Sequence, residues 1–103
     1  VVDTTRLISA VDQFADRLRA APQSRLQRGA AAEALALARE LARWAQSVEE
    51  PGSEPRVMPD AGMFAAADQI SVAGRDLAVV LTSEAEVEEA VRVVVEAQKR
   101  AGV

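Results

Sequence analysis

Neither cysteine nor histidine occurs in the 103 residues, and tyrosine and asparagine are missing as well. Without cysteine there are no disulfides and no thiolate metal ligands, and an oxidising compartment is not indicated. Without histidine the commonest metal ligand and the commonest general base are gone. Only Lys99 is left to activate a serine, and it falls on the charged edge of a helix. The Glu-x-x-His pairs of di-metal bundles and the glycine-rich phosphate loops are absent too. Glu33 and Glu40, a heptad apart, could chelate a hard cation with Asp68 or Asp76, but boundary carboxylates facing water are the ordinary case. The expectation is a chain that is not an enzyme and carries no cofactor or metal. No apolar run approaches the roughly 20 residues needed to cross a bilayer. No basic-then-apolar signal pattern opens the chain, so a cytoplasmic location is expected.

What is abundant is alanine, 22 residues of it, and arginine, 11 against a single lysine. That bias suggests GC-rich codons and a bacterial source. The formal charge of −4 is uneven: residues 1–50 balance, whereas residues 51–103 carry the whole excess. An acidic chain is a poor generic binder of nucleic acid, because neutralising phosphates supplies most of that affinity. Neither nucleic acid nor a membrane is an expected partner. The length suits one domain, residues 1–103, with a core that needs no covalent staples.

The chain is organised around Ser24–Glu50, a run without proline that holds the only tryptophan. Before it, Asp3, Thr4 or Thr5 can cap a first helix whose face is Leu7, Val11, Phe14 and Leu18. Pro22 ends that helix, or instead occupies the first turn of the second. Ser24 and Gln27 form a capping-box pattern, and Leu26, Ala30, Ala34, Leu37, Leu41, Trp44, Ala45 and Val48 then make one stripe. The stripe is rich in small residues, which admits a close neighbouring helix.

Residues 51–59 hold three prolines and a glycine and are expected to be irregular, with Val57 and Met58 tucked against the core. The segment from Asp60 to Leu81 places Met63, Ala66, Ile70, Ala73, Gly74, Leu77, Val80 and Leu81 on one helical face, with Gly74 as a close-packing point. A β-hairpin around residues 69–82 is the rival assignment. Ser83 to Glu86 is a second capping box, opening a last helix centred on Val87, Val91 and Val94 and closed by Gly102. Four amphipathic segments predict an all-α protein, an antiparallel up-down four-helix bundle.

Three surfaces are candidates for function. Val72 and Val79 sit off the core stripe of the third helix, with Phe64 toward the same outer side. Val93 and Val95 widen the apolar arc of the fourth helix beyond the usual 100° or so. Together the four valines suggest a patch covered by a second copy, a homodimer, or by another protein. Arg17, Arg19, Arg25 and Arg28 bracket a helix start and could form an anion site. Phe14, Trp44, Met58 and Met63 could line a pocket for a small apolar ligand. The preferred function is a non-enzymatic interaction or self-associating module, with small-molecule binding as the alternative.

Overall fold

The computed structural model describes all 103 residues, and it contains helices and no strands. Four helices carry the fold: α1 (Thr5–Ala20), α2 (Ala31–Glu49), α3 (Ala66–Val80) and α4 (Glu84–Ala101). A single turn at Gln23–Arg25 and a wide π-type turn at Leu26–Ala30 lead into α2, and a 3₁₀ turn at Met63–Ala65 leads into α3. The hairpin alternative falls, because residues 70–80 lie inside α3. Ile70, Ala73, Gly74 and Leu77 are all buried on one helical face there, a grouping that a period of two would split between the two faces of a strand.

The four helices pack as a bundle whose chain order departs from the simple up-down pattern. Contacts from Arg19 to Asp68 and from Arg75 to Asp12 set α1 antiparallel to α3. Arg100 reaches Glu33, and Arg25 reaches the carbonyl of Gly102, so α4 is antiparallel to α2. But α2 and α3 run the same way: Met63 and Ala66 lie beside Ala31 and Leu35, whereas Asp76 lies beside Ala45 and Glu49. The link between them explains this. Residues 50–62, at up to about 3.3 Å each when extended, can outreach the 19 residues of α2, which rise roughly 1.5 Å each. The link therefore returns along α2 instead of capping the bundle. Its prolines keep it extended, and two side chains of α2 satisfy its backbone. Gln46 both accepts from the Arg56 N–H (2.7 Å) and donates to the Arg56 carbonyl (3.1 Å). Arg39 donates to the Met58 carbonyl at 2.8 Å. Met58 packs on the core, but Val57, expected there too, is exposed.

As a result each of α1 and α2 packs against both α3 and α4, while the sequential pairs α1/α2 and α3/α4 face each other across the diagonal. The core is continuous and wholly apolar, with Leu7, Val11 and Phe14 of α1 meeting Leu37, Leu41, Ile70, Leu77, Val87 and Val94. Burial of each such side chain contributes about 1.5–3 kcal/mol. Trp44 is only half-buried and Val48 is exposed, so the buried stripe of α2 ends earlier than its spacing suggests.

The long run from Ser24 is not one straight helix. Pro22 takes the N-cap position, and its carbonyl accepts from the N–H groups of Arg25 and Leu26. The Ser24–Gln27 box does not form, because Ser24 already lies inside the first turn. Gly29 then adopts φ +150°, a conformation that L side chains rarely take, and the helix axis kinks there. At the other caps, Asp3 accepts from the Thr5 N–H (2.9 Å) ahead of α1. Ser83 and Glu86 form the expected box at α4, and Gly102 closes α4 in the left-handed region.

At Gly74, α3 approaches α1 closely. A Cβ placed there would lie 2.7 Å from Val11 Cγ2 and 3.0 Å from its Cγ1, and Val11 is fully buried with a stiff branched side chain. Gly74→Ala is expected to lower stability by about 1–3 kcal/mol, despite a helix-propensity gain of about 1 kcal/mol. In urea unfolding, Val11→Ala and Gly74→Ala together should cost less than the sum of the single changes. Additive losses would count against the contact.

Glu86 accepts from the Thr82 N–H, the Ser83 hydroxyl and the Thr82 hydroxyl, which holds its carboxyl below the usual glutamate value. A pKa depressed by folding stabilises the protein above the unfolded value and ceases to do so as the pH falls through the folded one. The native chain should therefore lose stability as pH drops below about 4.3, with Glu86→Gln showing a shallower loss over that window in thermal melts.

Candidate interaction surface

The core side of α3 is fixed by Ala66, Ala67, Ile70, Ala73, Gly74 and Leu77. At 100° per residue that places Val72 and Val79 on the opposite side, seven residues apart and nearly in line, while Phe64, in the 3₁₀ turn ahead of α3, lies on the same outer side but about 80° around from Val72, toward the end of α1. All three face solvent, at 73%, 57% and 84% exposure. Scattered exposed valines are ordinary. An aromatic and two valines exposed on one side of a helix that is otherwise packed are not, because nothing else in the chain covers them.

Two charged side chains stand between Phe64 and the valines on this side. Asp68 accepts from Arg19 at 2.8 Å, and Arg75 pairs with Asp12 at 2.9 Å. The hydrogen bond to Asp68 raises the Arg19 pKa above its ordinary value. Both pairs are largely exposed, so their contribution to stability is small, but they hold the two long arginine side chains among the apolar groups. Where α3 ends, Leu81 turns back in extended conformation and is buried. Between it and residues 1–8 lies an open hollow lined by Val1, Val2, Ile8, Ala78, Val79 and Leu81, with Thr4, Arg75 and Thr82 at its polar edge.

The four valines singled out from sequence do not form one patch. Val72 and Val79 belong to α3, whereas Val93 and Val95 belong to α4, across the diagonal. Val93 is half-buried against the core and Val95 is exposed at 40%. They stand some 160° apart around α4 by helix geometry, so one of them serves the bundle itself.

The four arginines are also dispersed. Arg17 is exposed on α1, and Arg19 is tied to Asp16 and Asp68. Arg25 donates to the Gly102 carbonyl at 2.6 Å, finishing the C-terminus of α4. Arg28 lies by the Gly29 kink, in a hollow shared with Arg25 and the Glu33–Arg100 pair. Of the pocket residues, Phe14 is fully enclosed. Met58 borders one surface hollow beside the end of α2, and Met63 borders others at its start; neither Phe14 nor Trp44 lines these. Glu33 is bound to Arg100 and Asp68 to Arg19, while Asp76 stands at the far end of α2, so these carboxylates do not converge.

Sequence reasoning passed over the hollow at Val1, Val2 and Ile8, because only the fold brings those residues to the end of α3. Phe64 is outward as its helical position predicts. The chain matches no protein-family model, no curated protein and no solved structure. No helix is long and apolar enough to cross a membrane.

If this side is surface and not core, its residues contribute little to folding. Phe64→Ser and Val79→Glu should each shift the free energy of unfolding of the isolated chain by no more than about 0.5 kcal/mol, measured in dilute urea titrations. A loss several times larger would place the side chain in the core.

Proposed function

We propose that the chain is a non-enzymatic interaction module that associates with a second copy of itself through the outer side of α3. The observation that carries this reading is the outer side of α3, where Phe64, Val72 and Val79 are all exposed, beside the largely apolar hollow at the end of the helix. Exposed apolar groups gathered on one side and rimmed by polar ones mark contact sites. The lack of histidine and cysteine, together with carboxylates held in exposed ion pairs, supports a binding role over a catalytic one. Uptake of a small apolar molecule between the helices has less support, since Phe14, Trp44, Met58 and Met63 do not share a hollow.

Magnitudes suggest a weak to moderate dimer. Six side chains, three from each copy, contribute roughly 1.5–3 kcal/mol each when buried, against an association cost of roughly 4–15 kcal/mol. The expected result in light scattering is a mass that climbs from that of the 10.9 kDa chain toward twice it over the micromolar range. Val79→Glu should hold the mass at the monomer value, and high salt should not dissolve the native dimer. A mass that stays monomeric into the hundreds of micromolar, or a dimer indifferent to Val79→Glu, would sink the reading.

A further inference from the structure

Resting on that reading, we propose that the two copies join through antiparallel α3 helices about a two-fold axis near Ser71 and Val72, with Phe64 of each copy seated in the hollow at the Val79 end of the other. In a two-fold contact, residue i of one copy meets j of the second, and j meets i. The outer side of α3 is arranged so that one register satisfies every group on it. If Phe64 lies opposite Val79 of the second copy, Asp68 lies opposite Arg75, because each pair is centred on the same point between Ser71 and Val72. The one exposed aromatic then meets the Val1, Val2, Ile8 and Val79 part of the hollow, whose polar edge is Thr4, Arg75 and Thr82, and Val72 lies by the axis.

The charges select this direction. Asp68 is already bound to Arg19, and Arg75 to Asp12. The antiparallel join links them in alternating sign, from Arg19 to Asp68, across to Arg75 of the second copy and on to its Asp12. A parallel join would set Asp68 against Asp68 and Arg75 against Arg75, with each Phe64 against its counterpart and both hollows empty. Like charges in contact disfavour that arrangement. The contact is isologous and closes on itself, so association stops at two copies.

The cysteine-free chain makes the register directly measurable. Single cysteines are placed at Phe64, Val72 or Val79, all exposed positions, and allowed to reach disulfide equilibrium in a glutathione buffer. Val72→Cys is expected to form a covalent dimer with itself. Phe64→Cys mixed with Val79→Cys is expected to give the mixed disulfide in several-fold excess over either self-disulfide, since bonding requires Cα atoms within about 7 Å. Val95→Cys, on another helix, serves as the background. Self-disulfides of Phe64→Cys and Val79→Cys that match or exceed the mixed product would overturn the register while leaving self-association standing. Val72→Cys cross-linking no faster than Val95→Cys overturns α3 as the interface. A native chain that light scattering finds monomeric overturns both proposals.

Discussion

The packing of Gly74 against Val11 decides how the rest of this bundle is arranged. With no side chain at Gly74, α1 comes close enough to α3 for Val11 to be enclosed, and the rotation of α3 about its own axis is then fixed. That rotation aims Ile70 and Leu77 inward, brings Asp68 and Arg75 within reach of Arg19 and Asp12, and leaves Phe64, Val72 and Val79 outside. The same orientation of α3 that seats Gly74 on Val11 thus places three sets of side chains in core, ion pair and open surface. The ion pairs are a consequence of this geometry and add little to it, being exposed.

Much of the architecture can be read directly from the chain, because local signals and tertiary packing agree. The spacing of Leu7, Val11, Phe14 and Leu18 matches the buried face of α1, and the Ser83–Glu86 box and Gly102 bound α4 as their chemistry requires. The failures have physical causes. Gly29 sits among alanines and arginines that favour helix, and nothing local announces that its φ is positive; the kink accompanies contacts made far away, by Arg25 on Gly102 and by the burial of Leu26. The course of residues 50–62 likewise depends on Gln46 and Arg39, whose hydrogen bonds to the returning backbone leave no periodic trace in sequence.

The working surface was half legible for a related reason. Helical periodicity shows which side of α3 faces out, so Val72 and Val79 were identified correctly as exposed. It does not show which helices are neighbours, so Val93 and Val95 were joined to them on the assumption that sequential helices pack side by side. The hollow at Val79 depends on where the first residues of the chain settle, a tertiary fact with no local signal. Arg25 illustrates the opposite error: from composition it looks like a free cation, yet its guanidinium is engaged in terminating a helix.

The return of residues 50–62 along α2 has a consequence for how the protein comes into being. Because α1 and α2 do not lie side by side, and neither do α3 and α4, neither half of the chain owns a core. Each half is an open pair of amphipathic helices whose apolar faces are completed only by the other pair. Secondary structure can form early, but burial must wait until the two halves interlock, so the contacts that stabilise the bundle are nearly all distant in sequence. Closure of the bundle is therefore a meeting of the two halves, each offering the apolar faces that the other lacks.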